Sequence, residues 1–207
     1  MQGIDFIFAI AVLIMSVVIH EVSHGYSANV LGDPTARHAG RLTLNPLKHL
    51  DMFGSVLFPL MLFIFKSPVV FGWAKPVPYN PYNLKNQRWG PALVALAGPL
   101  ANISTAIIFG LILRFSDLLN FLPYAFFEIA GLIVLINLML AVFNLVPIPP
   151  LDGSKILFAF LPFQWQKIQD FLERYGFFVL IIFIFLFLQF LFPIVLFLFR
   201  IITGMNF

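Results

Sequence analysis

The sequence predicts an all-α polytopic membrane protein of about four transmembrane helices, with a membrane re-entrant helix/strand hairpin and short β-strands near its most polar buried region. Three observations predict it. The 207-residue chain is 61% hydrophobic and 10% charged, with a mean hydropathy of +0.98, more apolar surface than a water-soluble domain of this size needs. Several apolar runs approach the roughly 20 residues with which a helix crosses the bilayer. Lysine and arginine gather in some connecting segments and are missing from another, the asymmetry by which membrane topology is read. One domain is expected over residues 1–207, with a core over 1–160 and an amphipathic segment and last helix over 161–207. The absence of cysteine excludes a disulfide framework and thiol redox chemistry. The net charge of +3 calls for no nucleic-acid partner.

The first helix is expected from Ile4 to Val30. Only Asp5 and Ser16 interrupt its apolar character before residue 20, and Leu31-Gly32-Asp33-Pro34 ends it. It has no basic start and no small-x-small cleavage site, so it reads as a membrane helix and not a signal peptide. In Thr35 to Pro46 the second half alternates polar and apolar residues, which predicts a short strand. The apolar run 53–65 is too short for a full crossing and reads as re-entrant. Pro68, Pro76, Pro78 and Pro81 bar a continuous helix after it. The expectation is therefore a hairpin that enters the membrane as a short helix and returns extended, with an edge over 68–78 on which another strand could pair.

The second full span is expected from Trp89-Gly90-Pro91 to about Phe115, with Ala92, Ala95, Ala97, Gly98 and Ala101 allowing close helix approach. The third runs from about Phe126 to Val146 and ends in a proline-rich stretch, Pro147-Ile148-Pro149-Pro150-Leu151-Asp152-Gly153. Residues 154–175 interleave charged and apolar positions, as an interfacial segment does. The last span is expected from Phe177 to Phe199, with Gln189 as a packing contact and Pro193 as a kink.

Chemistry concentrates at His20-Glu21-Val22-Ser23-His24. Positions i and i+4 lie on one helical face, so both histidines can aim a ring nitrogen at a single ion. Ionisable groups at membrane depth are costly and mark functional sites. A catalytic zinc takes three protein ligands and leaves one position to water, and Glu21 is placed to accept that water's proton. An Asp-Gly pair is ordinarily a turn, but Asp152, at the end of a membrane helix in a chain without a third ligand, reads as that ligand. His38 and His49 fit either an extra ligand or a solvated loop. Asn102 fits either an interhelical hydrogen bond or a role near the site.

The charges test this arrangement. Arg37, Arg41 and Lys48, then Lys75, Lys85 and Arg88, then Lys155, Lys167 and Arg174 form three basic groups, and residues 116–125 contain none. The positive-inside rule puts 31–90 and 153–176 in the cytoplasm and the N-terminus outside. His20, His24 and Asp152 then share the cytoplasmic side, provided 53–65 does not cross the bilayer.

With His20-Glu21-Val22-Ser23-His24-Gly25, Gly98-Pro99-Leu100-Ala101-Asn102 and Asn144-x-x-Pro147-x-Pro149-x-Leu151-Asp152-Gly153 in order, the chain resembles the site-2 protease family of intramembrane zinc metalloproteases over about residues 1–160. The resemblance implies that His20, His24 and Asp152 bind Zn2+, that Glu21 is the general base, and that Asn144 helps hold the substrate strand or the oxyanion. It implies a membrane-anchored protein substrate cut in a transmembrane helix, in regulated intramembrane proteolysis or signal-peptide remnant clearance, with a prokaryotic cell membrane as the expected setting. Many relatives carry a PDZ or CBS domain, for which this chain is expected to have no room. The rival readings are a zinc transporter or metal-sensing membrane protein and, more weakly, a catalytically dead scaffold.

Overall fold

The computed structural model of the chain describes residues 3–51, 75–116 and 121–205, together with Leu57, Met61, Ile64 and Phe65. These form α1 (Gly3–Val30), α2 (Thr35–His38), α3 (Gly90–Arg114), α4 (Tyr124–Asn144), α5 (Asp152–Phe160) and α6 (Gln166–Thr203), with single 3-10 turns at Pro46–Lys48, Pro81–Asn83 and Phe163–Trp165. Four of the helices, α1, α3, α4 and α6, are long and apolar enough to cross a membrane.

α3 is the central element and packs against α1, α4, α5 and α6. Its buried positions include Ala92, Ala95, Gly98, Asn102, Ala106, Gly110 and Leu113, a stripe of mostly small residues at three- and four-residue spacing that brings neighbouring backbones close. Beyond the site it forms a packed cluster with α4 and α6: Ala106 and Leu113 against Ala130, Val134, Leu138, Val195 and Phe199. A side chain at Gly110 would meet Ile202 of α6.

The amphipathic segment and the last span form one helix from Gln166 onward. With 38 residues, α6 is about 57 Å long at 1.5 Å per residue, against a hydrocarbon core of about 30 Å. Its first turns, carrying Lys167, Asp170, Glu173 and Arg174, therefore extend beyond the lipid tails. The helix ends at Gly204 in the left-handed conformation, φ +73°. Gln189 is exposed beside Phe185 and Phe190, so it faces outward and is not the packing contact expected of it.

The short strand expected before Pro46 does not form, and the described residues contain no strand. Backbone groups that a ladder would use are satisfied locally: Arg41 N–H donates to Ala36 O, Asn45 N–H to Thr43 Oγ1, and Thr43 O accepts from His49 Nε2. The re-entrant hairpin lies for the most part outside the described residues. Where its returning arm is described, over 75–78, it forms neither helix nor strand and offers no free N–H edge. Lys75 N–H donates to His49 O, Val77 N–H donates to Glu21 Oε2, and Pro76 and Pro78 have none to give.

One carboxylate joins the end of α1 to the approach to α3. Asp33 is wholly covered, and it accepts from Thr35 N–H, the Thr35 hydroxyl, Asn83 Nδ2 and Asn80 N–H. Burial alone would raise its pKa, but these donors favour the anion and hold it below its ordinary value. A lowered folded-state pKa contributes stability above the unfolded value of about 3.9 and loses it as pH falls through the folded one. Asp33→Asn should therefore cost about 1–3 kcal/mol at pH 7, and the gap to wild type should narrow below about pH 4. Denaturation in detergent at both pH values measures it, and a gap that ignores pH would refute the role given to the charge.

Candidate metal centre

His20 and His24 sit one turn apart on α1, and their Nε2 atoms are 3.0 Å apart. Asp152 Oδ2 lies 3.1 Å from the first and 3.3 Å from the second. The site is deep. His20 is ten residues before Val30 within the candidate span Phe8–Val30, about 15 Å along the helix from its end, and it is buried.

Asp152 arrives as the first residue of α5, which packs on α3. The preceding turn is held against α6 by Val146 and Leu151 packing on Leu180 and Leu191. Gly153 is required there, because a Cβ would run into the carbonyls of Leu145 and Val146. Gly176 of α6 is required too: a Cβ would come within 2.6 Å of Pro149. The last helix thus buttresses the loop that delivers Asp152.

The other ring nitrogens decide what the cluster can bind. His24 Nδ1 is 2.7 Å from Val94 O, and a carbonyl only accepts, so Nδ1 carries the proton. His20 Nδ1 is 2.5 Å from Asn102 Oδ1 and is likewise the donor. In the neutral rings both Nε2 atoms then present lone pairs. Asp152 Oδ2 is buried without a hydrogen-bond partner. With both rings neutral, three acceptors converge, an arrangement that a cation resolves. Corners of a tetrahedral zinc shell at about 2.0–2.1 Å are about 3.3 Å from each other, close to the separations found here. The donor set, two imidazoles and a carboxylate, suits the same ion. Near the site, burial and then the charges of Asp152 and Glu173 push the Tyr79 hydroxyl above its ordinary pKa.

The other predicted residues lie as follows. Glu21 is half-buried beside His20, its Oε2 held by Val77 N–H at 2.8 Å. Asn144 is half-buried at the end of α4, its Nδ2 donating to Leu140 O at 2.9 Å. His38 is exposed. His49 is 1% exposed and donates to Thr43 O, so it is a structural histidine of the loop and not a solvated one. Neither joins the His20, His24 and Asp152 group, the one such group of metal-ligating side chains among the described residues. Asn102 makes the interhelical hydrogen bond expected of it, donating to Asn137 Oδ1, and its own Oδ1 faces His20 Nδ1.

Sequence reasoning gave Gly98 only a general part in helix approach. Val94, Gly98 and Asn102 are spaced by four along α3, matching His20 and His24 along α1. A Cβ at Gly98 would lie 2.6 Å from His20 Cε1 and Nε2 and from His24 Cε1. Gly98→Ala should therefore lower divalent-metal affinity by about 10- to 100-fold while the protein still purifies as a folded, monodisperse species. Chelator competition in detergent measures this, and unchanged affinity would show that the rings do not need this clearance.

The profile of Peptidase family M50 matches residues 120–187. "Putative zinc metalloprotease YwhC" of Bacillus subtilis is 37% identical over 180 residues, covering 84% of this chain and 78% of that protein. Rip2 of Mycolicibacterium smegmatis, named in the same terms, is 30% identical over 178 residues, covering 86% of this chain and 66% of its own length. MJ0611 of Methanocaldococcus jannaschii, again so named, is 44% identical over 73 residues, 35% of each chain. No solved structure matches the chain significantly. The likeness to YwhC runs through most of both chains and includes the segment that delivers Asp152, and on that ground the chain belongs to peptidase family M50, the site-2 protease family, and is a multi-pass membrane protein with the character of a zinc metalloprotease.

Proposed function

We propose that this chain is a zinc-dependent intramembrane endopeptidase that hydrolyses peptide bonds in or near transmembrane helices of membrane-anchored proteins. The observation that carries the reading is the triangle of His20 Nε2, His24 Nε2 and Asp152 Oδ2 about 15 Å inside a membrane-spanning helix. A peptide bond that reaches such a site must itself be within the lipid's depth.

His20, His24 and Asp152 would hold the ion. Zinc bound there would supply a Lewis acid that acidifies a water and polarises the scissile carbonyl. Glu21 is the general base. With Oε2 anchored by Val77 N–H, its other oxygen takes a proton from the attacking water as the new C–O bond forms. It then returns the proton to the departing amine as the C–N bond breaks. Asn144 holds the substrate backbone or the developing oxyanion from the end of α4. The substrate helix must unwind first, because its carbonyls are hydrogen-bonded and shielded. The whole of 1–207 acts as one proteolytic domain, with the active site toward the cytoplasmic side, where Arg37, Arg41, Lys75, Lys85 and Arg88 gather.

The transporter reading fares worse. A transport path needs ligands along it, and the described residues contain one ligand cluster. Glu21 also has no need to adjoin a ligand in a transporter.

Glu21→Gln should keep zinc affinity within about twofold and slow cleavage of a membrane-anchored substrate in proteoliposomes by about 10²- to 10⁴-fold. Cleavage at the wild-type rate would remove Glu21 as the base. Zinc uptake by the same proteoliposomes would favour the transporter.

A further inference from the structure

Between the metal centre and the apolar cluster of α3, α4 and α6 lie three buried polar side chains, Ser16, Asn102 and Asn137, from α1, α3 and α4. We propose that Asn137 is a positioning residue for the metal centre: acting through Asn102, it fixes which ring nitrogen of His20 carries the proton and keeps Nε2 free for the ion. The inference rests on His20 being a ligand.

The polarity of the chain of hydrogen bonds can be worked out from its fixed ends. A backbone carbonyl can only accept. One terminal atom of Asn137 lies 2.9 Å from Ile133 O and 2.9 Å from Ser16 Oγ, so that atom is the amide nitrogen. The Asn137 oxygen must then face Asn102, 2.8 Å away, and be met by a donor. The Asn102 nitrogen is that donor, and it also lies 3.4 Å from the Ser16 carbonyl, a second obligatory acceptor. The Asn102 oxygen is left facing His20 Nδ1, which has to donate. In the neutral ring Nε2 is then the unprotonated nitrogen, 3.1 Å from Asp152 Oδ2.

His24 needs no such chain, because Val94 O sets its tautomer directly. The orienter of His20 is a side-chain amide, which can turn over and present nitrogen in place of oxygen. Asn102 turned over would put a donor against His20 Nδ1, draw the proton to Nε2 and block the ligand position. Turned over, it would also put its oxygen against the Asn137 oxygen. Asn137 thus prevents the reversal. Asn102 and Asn137 are both 0% exposed, so water is not at hand to substitute for either partner.

The test uses the full chain in detergent, labelled with 15N-histidine, and reads two quantities: the imidazole 15N shifts of the metal-free protein and the zinc affinity by chelator competition. His20 is assigned by difference from a His20→Gln sample. In wild type His20 should be protonated at Nδ1. Asn137→Leu should move His20 toward the Nε2–H form and weaken zinc binding by about 10- to 100-fold. Asn102→Asp supplies an acceptor whichever way it turns, so in that background Asn137→Leu should change affinity by no more than about twofold against the loss expected of an orienting group. Should the leucine disturb folding, Asn137→Ala carries the same expectations in both backgrounds. An unchanged His20 tautomer, or an equal loss of affinity in both backgrounds as a packing role would give, overturns the proposal. A wild type that shows the Nδ1–H tautomer but binds no zinc would instead refute the ligand reading beneath it.

Discussion

Two imidazole Nε2 atoms and a carboxylate oxygen converge across 3.0–3.3 Å, within a membrane-spanning helix bundle. With both rings neutral and no cation this is a repulsive arrangement that a low dielectric makes worse. The rest of the fold supplies what is needed to hold it. α1 brings the two histidines on one face, and α5 brings Asp152 at its first turn, where the N-terminal dipole favours a carboxylate. α3 contributes no ligand yet touches both rings, through Val94 O and Asn102, and makes room for them at Gly98. Its small residues serve the chemistry as well as the packing.

The supporting structure is graded by depth. Far from the site, Val134, Leu138, Val195 and Phe199 form an apolar cluster that any membrane bundle would recognise. Beside the site, the buried amides of Asn102 and Asn137 pair with each other and with Ser16. Toward the helix ends, charged groups take over: Asp33 clasps 80–83 to the end of α1, and Arg41 ties itself to the carbonyls of Lys75 and Pro76. That last tie places Val77 N–H against Glu21. A loop that looks irregular is thereby the support of the base proposed for catalysis.

Much of this was legible in the sequence, for identifiable reasons. The four spans announce themselves by length and hydropathy, and α1 and α3 end within a residue or so of their punctuation. His20 and His24 declare a shared face by their spacing, and Asp152 could be brought to them by counting crossings against the positive charges. What was not legible depends on contacts between distant segments. Alternation over 41–45 suggests a strand, but its polar groups spend themselves on the local backbone. His49 looks solvated because its neighbours are polar, and only the fold buries it. Gln166 starts a helix that continues uninterrupted into the last span, because amphipathic and apolar stretches share helical geometry. Asn137 is a single polar residue in an apolar run, and nothing nearby in sequence names Ser16, 121 positions away, as its partner.

The central claim is that one ion joins α1 to α5. Zinc K-edge X-ray absorption on the purified full chain in detergent measures that shell directly. The account predicts bound zinc with two imidazole nitrogens and carboxylate or water oxygen at about 2.0–2.1 Å, and loss of that shell in Asp152→Ala. A chain that holds no zinc, or zinc in a shell unchanged by removing Asp152, would contradict it.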